Sequence, residues 1–162
     1  RSSVEAEQVE WLQGWKRWTD LQTAAAHHLA ADRRDLDPRD RAAAMALQML
    51  GDGLFQRALV NDVHEEVLEA LRDDGPWALV QGIPTIATLA ELLRLRQANI
   101  ATPWKRTDFH DLRFLSVALV YCDRVSCDNA WADLARRSPL ISERGVQIVS
   151  GESSLEGLLQ GL

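Results

Sequence analysis

At 162 residues the chain is the size of one ordinary domain and long enough for a substantial core. Its 46% hydrophobic and 26% charged residues exclude low-complexity and fibrous classes, and no apolar run approaches a membrane span. A net charge of −6 excludes a wholly basic nucleic-acid-coating protein but leaves room for a local basic groove.

The chain opens on Arg1 rather than Met, with no signal-peptide pattern, and the expectation is a processed product or a fragment. Residues 4–31 read as one long helix. Trp11, Trp15 and Trp18 fall at i, i+4 and i+7, and Leu21, Ala25 and Leu29 continue near the same face. The stripe reads as core packing rather than ligand stacking. His27 and His28 are adjacent, point in different directions on a helix, and make a poor metal pair.

Asp37-Pro38 starts a second, Ala-rich helix running to about Leu50, and Gly51-Asp52-Gly53 breaks it. Helical periodicity resumes from Leu54 to Arg72 through Leu59, Val63, Val67 and Leu71. His64-Glu65-Glu66 lacks the second histidine of a zinc-protease helix and reads as a solvated face. Asp73-Asp74-Gly75-Pro76 is a turn, and Trp77–Val80 reads as a short strand or a loop.

From Ile83 the pattern alternates. Helices are expected at 86–99 and 108–118, a strand at 119–127, a helix at 128–137, a strand at 145–149 and a helix at 153–162. That order implies parallel crossover units and an α/β class. Cys122 and Cys127 lie five apart, on opposite faces of a strand, and read as buried free thiols in a reducing cytoplasm.

Carboxylates gather around this alternating half. Asp128 stands where a strand gives way to a helix, the usual place for functional groups in a parallel sheet. Asp108 and Asp111 share one face of a helix start, and Glu91 lies early in the helix before it. Converging carboxylates repel unless a cation sits among them, and hard oxygen ligands suit Mg²⁺ or Mn²⁺. Each acid also has a local explanation. Thr88-Leu89-Ala90-Glu91 fits a capping box, Asp108 and Asp128 fit N-caps, and Asp111 suits a helix dipole. Asp123, inside the expected strand, reads as structural.

Residues 94–106, RLRQANIATPWKR, carry Arg94, Arg96, Lys105 and Arg106 with no acid, and Trp104 beside the last two cations. Such a segment can hold phosphates and stack an unpaired base; the bland reading is a solvated helix face and a loop with one anchoring Trp.

Three segments carry a resemblance to the PIN (PilT N-terminus) domain of metal-dependent ribonucleases, and a fourth trails them. IPTIATLAELLRLR (83–96) resembles the helix bearing the family's acidic Glu, at Glu91. DFHDLRFLSVAL (108–119) resembles its D-x-x-D helix, with Asp111 as the catalytic Asp and Asp108 as an accessory acid. VYCDRVSCDNAWADLA (120–135) resembles its late strand and helix, with Asp128 as the last acid, and GVQIVSGESSLEGLL (145–159) its closing strand and helix. The resemblance covers roughly residues 80–162. It implies a three-layer fold with a parallel central sheet, one or two Mg²⁺ or Mn²⁺ ions, and endonucleolytic cleavage of single-stranded or structured RNA by metal-activated water. Glu91, Asp111 and Asp128 would bind metal, Asp108 would orient water or a second ion, and Arg94, Arg96, Trp104, Lys105 and Arg106 would contact RNA.

The expected organisation is a single PIN-like domain, with a helical region over 1–75 and an α/β core over 76–162. Two departures stand out. No first strand ending in Asp can be read in RSSVEAEQVEWLQGW, so that strand precedes Arg1 or the domain is a non-catalytic scaffold binding RNA or protein. Cys127 replaces the small hydroxyl residue before the last acid, with Ser126 adjacent. The long helical region sets the chain apart from a minimal toxin. An antitoxin-type protein partner and a homodimer remain among the expected partners, and a membrane does not.

Overall fold

A computed structural model describes residues 37–49 and 64–151. In chain order these form helices α1 (Pro38–Met49), α2 (His64–Asp73), α3 (Gly75–Gln81), α4 (Pro84–Gln97) and α5 (Arg106–Tyr121), then strand β1 (Arg124–Cys127). Helices α6 (Asn129–Arg136) and α7 (Pro139–Ser142) lead to strand β2 (Gln147–Ser150). The architecture is mixed α/β, mostly helical, with one two-stranded parallel sheet among the described residues. The helices read over 4–31 and 153–162, and the stretch 51–63, lie outside the described residues, as do the tryptophan stripe and His27-His28.

Helix α4 is the centre of the packing. Every side chain from Ile86 to Leu93 is buried, so the helix has no solvated face over two turns. Helices α1, α3, α5, α6 and α7 all pack against it. The Ala42, Ala43 and Ala46 side of α1 is wholly buried, and three methyl-sized residues let that helix approach closely. On the other side α5 contributes Leu112, Leu115 and Leu119, all essentially inaccessible. Below them Val125 of β1 and Trp131 and Leu134 of α6 close the same core.

Several expected boundaries shift for identifiable reasons. Trp77–Val80 belongs to a helix, because Gly75 and Pro76 start α3 with Pro in its first turn. The expected strand over 119–127 is helical to Tyr121. Ala118 and Leu119 lie on the buried face that began at Leu112, so α5 continues until its last turn has met the core. Only Arg124–Cys127 is extended. Asp123 therefore precedes the strand rather than interrupting it, and its carbonyl accepts from the Gln147 N–H at 2.8 Å. Helix α7, absent from the sequence reading, is capped by Ser138, whose side chain accepts from the Ile141 N–H at 3.3 Å.

Both cysteines are free, as expected, but Cys122 is exposed at the end of α5 rather than buried. Cys127 is half-buried. Burial first, and the neighbouring Asp128 second, push its thiol up to about 11, so it stays protonated and unreactive at neutral pH. No described helix is long and apolar enough to cross a membrane.

The α2–α3 junction depends on one backbone conformation. Gly75 has φ +82°, and a Cβ there would sit 2.9 Å from Asp40 Oδ1, the atom that accepts from the Trp77 N–H at 2.8 Å. Gly75→Ala should therefore lower stability by about 1–2 kcal/mol, the cost of a left-handed L-residue. The shift in urea midpoint measures it, and Gly82→Ala, in open space at negative φ, is the neutral control.

Candidate acidic site at the end of strand β1

The four acids singled out from the sequence fall into two kinds of surroundings. Glu91 and Asp108 are buried and answered by arginine; Asp111 and Asp128 face each other's charge.

Glu91 projects from the middle of α4, where it is 1% exposed. Arg94, one turn later, donates from Nε and Nη2 to its two carboxylate oxygens, each at 2.8 Å. Ser138 Oγ donates to Oε1 at 3.2 Å. Burial alone would raise the Glu91 proton affinity, but the bidentate arginine, Ser138 and the more distant Arg39 together hold it below the ordinary carboxylate range. The expected capping box at Thr88 is not formed. Helix α4 begins at Pro84, which places Thr88 in its second turn. There its hydroxyl donates to the Pro84 carbonyl at 2.7 Å and accepts from Arg144 at 2.7 Å.

Asp108 is the third residue of α5, not its N-cap. Its Oδ2 accepts from the Lys105 N–H and from Arg96 Nη2, both at 3.0 Å. Arg96 reaches this carboxylate from the end of α4 while its other donors fix the intervening loop. It donates to the carbonyls of Thr102 at 3.0 Å and Pro103 at 2.8 Å. Its guanidinium also lies 4.5 Å from the centre of the Trp104 ring. Arg96 and Trp104 thus hold the fold together at this corner, while Arg94 is committed to Glu91. Lys105 and Arg106 are exposed at the start of α5.

Asp128 is the N-cap of α6, as the sequence indicated, and its Oδ1 accepts from the Trp131 N–H at 2.8 Å. The indole of the same Trp131 donates from Nε1 to Asp111 Oδ2 at 3.2 Å. One tryptophan therefore ties the last acid of the sheet edge to the second turn of α5. Partial burial raises the proton affinity of Asp111; the Trp131 hydrogen bond opposes this, and the charges of Asp128 and Asp108 raise it further. Beside them a pocket of about 90 Å³ is lined by Thr102, Lys105, Thr107, Asp108, Asp128 and Trp131.

The structure so brings Asp108, Asp111 and Asp128 to one edge and leaves Glu91 in its own ion pair. Among the described residues no three Asp, Glu, His or Cys side chains converge closely enough to hold a metal ion. Trp131 is the residue that sequence reasoning missed. It stands three after Asp128 in a helix start, a position that could have marked it as a bridge to a neighbouring element. No family model, curated protein or solved structure matches the chain.

Two pH-dependent outcomes follow, with opposite signs. Glu91 has a lowered proton affinity in the fold. Its stabilisation is present above the unfolded carboxylate value and is lost as pH falls through the folded one. Glu91→Ala should cost about 3 kcal/mol at pH 7 and progressively less in acid, measured by urea unfolding. Asp111 has a raised affinity, so its contribution is present at low pH and is lost as pH rises through its folded value. Asp111→Asn, which can still accept from Trp131, should raise the urea midpoint at pH 7 and leave it unchanged near pH 3.

Proposed function

We propose that the chain is a PIN-like, metal-dependent endoribonuclease domain whose reacting centre is the Asp111–Asp128 edge. The observation that carries the reading is that Trp131 binds two carboxylates at once, Asp128 through its backbone N–H and Asp111 through its indole, at the carboxyl end of a parallel strand. Two like charges held together by a shared tryptophan form a site that a cation would relieve.

The fit to a divalent ion is partial. Asp111 and Asp128 supply hard oxygens, and Mg²⁺ needs only one or two carboxylates when water and substrate phosphate complete its shell. In this arrangement Glu91 and Asp108 do not fit, because their oxygens are committed to Arg94 and Arg96. When bound, the ion supplies an activated water and charge stabilisation for phosphodiester hydrolysis. Asp111 and Asp128 would hold it, with Trp131 fixing the orientation of both, and Lys105 at the rim of the adjoining pocket would hold a phosphate oxygen. Arg106 supports the same phosphate path. Arg96 and Trp104 act through the shape of the 98–105 loop, and Arg94 through its pair with Glu91, rather than by touching RNA.

A second reading, a non-catalytic PIN-like scaffold that binds RNA or protein, is favoured by one specific observation. Two of the four acids expected in the site are neutralised within the fold by buried arginine pairs.

The readings separate in one experiment on the full-length protein with Mn²⁺ and a labelled single-stranded RNA. The nuclease reading expects cleavage that Asp128→Asn and Asp111→Asn each reduce at least 100-fold, with RNA binding retained. Cleavage unchanged in both variants would sink the assignment. Metal-independent RNA binding without cleavage supports the scaffold.

A further inference from the structure

Away from the acidic edge, the turn from α7 into β2 leaves a cavity of about 350 Å³, lined by Arg136, Ile141, Ser142, Gly145, Val146 and Ile148. It shares no residue with the smaller pocket beside Asp128. Its origin is local. Gly145 stands at φ +70° in the turn, and a Cβ there would meet nothing within 4 Å. Val146 and Ile148 alternate onto one side of the chain as it enters β2, and Ile141 is the third branched apolar residue of the lining. The volume lies in the range of small-ligand pockets. At roughly 30 Å³ for each water-sized group it has room for about a dozen.

Arg136 is the one charged side chain in that lining, and Ser142 carries the one uncharged polar side chain. The guanidinium is incompletely answered. Its Nη2 donates to the Ile148 carbonyl at 3.0 Å and to Ser150 Oγ at 3.3 Å, both neutral. Its ion pair with Asp133 spans 3.6 Å between two solvent-exposed side chains, a geometry that contributes little. Among the described residues its Nε has no hydrogen-bond partner. The other charges on the adjoining elements are Arg137, whose Nε donates to the Asp133 carbonyl, and Glu143 and Arg144 on the turn. Arg144 is held by Thr88 and Pro84. None of these lines the cavity, and together with Asp133 and Arg136 they leave a single positive charge.

We propose that this cavity binds a small aliphatic monocarboxylate, its chain against Ile141, Val146 and Ile148 and its carboxylate on Arg136. The planar guanidinium suits a carboxylate, and one positive charge matches a monoanionic head. A phosphomonoester would leave a net negative charge there. An inorganic anion would make no use of the three branched side chains. A nucleobase would find no aromatic ring in the lining to stack on. A peptide tail would bring several backbone polar groups, with the Ser142 hydroxyl as their one uncharged side-chain partner. The proposal is independent of the acidic edge, whose residues lie outside this cavity.

The test uses the full chain and isothermal titration calorimetry with sodium octanoate below its micelle-forming range. Octan-1-ol reads the apolar part alone, and acetate the head group alone. Octanoate should bind about tenfold tighter than either, the scale of one charge-assisted hydrogen bond. Arg136→Gln, which still offers a donor to the strand, should weaken octanoate about tenfold and leave octanol unchanged. Ser142→Phe places a ring over the exposed side of the cavity and should weaken both ligands. Urea midpoints near that of the parent chain show that the variants fold, and Ser142→Phe keeps the test decisive if Arg136→Gln does not. The proposal is overturned if octanoate does not bind, if octanol or acetate binds as tightly, or if octanoate binding survives the substitutions. It is also overturned if a short peptide ending in leucine binds tighter than octanoate, which would make a protein C-terminus the occupant.

Discussion

The burial of α4 from Ile86 to Leu93 is the constraint on which the rest of the described structure depends. A helix with no solvated face cannot leave a charge unanswered, because a lone ionised group in such surroundings costs several kcal/mol. Glu91 and Arg96 are both on that helix and both nearly inaccessible. Their partners are therefore fixed in space: Arg94 and Ser138 for the first, Asp108 and the 102–103 carbonyls for the second. Ser138 in turn caps the start of α7, and Asp108 lies in the first turn of α5. Two buried polar groups on one helix so set where two other helices start. Such pairs add little net stability over apolar replacements, but removing one partner is expensive, which is how they specify position.

The same accounting sorts the carboxylates. Arginine answers two of them, and an aromatic N–H and a helix N-terminus answer the other two only in part. At the Asp111–Asp128 edge the neutral donors satisfy hydrogen-bonding geometry without cancelling charge. An electrostatic imbalance remains where the strand ends, within reach of the exposed Lys105 corner. Chemistry is expected at imbalances of this kind, while the neutralised pairs belong to the scaffold.

Much of this was legible in the sequence, and the failures have physical causes. Pro38 marks a helix start, Asp128 declares its N-cap, and the Arg124–Cys127 and Gln147–Ser150 strands lie within or beside the stretches read as extended. The end of α5 was misread because VALVYC is β-branched and apolar, a composition shared by buried strands and buried helix ends; packing of Ala118 and Leu119 on the core decides between them. The capping box at Thr88 was misread because the motif is short and the preceding Pro84 is the stronger start. Local pattern gave the acids their places on elements. It could not reveal that Arg94 and Arg96, four consecutive residues from Glu91 to Arg94 and a loop away from Asp108, would turn inward, since charged residues on a helix default to solvent. The pairing of Asp111 with Trp131 spans 20 residues and depends on how α5 and α6 cross, which no local signal records.

The small sheet has one further property. Gln147 hydrogen-bonds toward β1, so the alternation of a parallel ladder turns the backbone groups of Ile148 to the outer side of β2. Arg136, from the helix that connects the two strands, donates to that outward Ile148 carbonyl at 3.0 Å and to Ser150 Oγ at 3.3 Å. A guanidinium thus occupies the position where another strand would have to pair. The crossover helix supplies its own gatekeeper, and β2 is protected from templating edge-to-edge aggregation by a charge placed against its backbone.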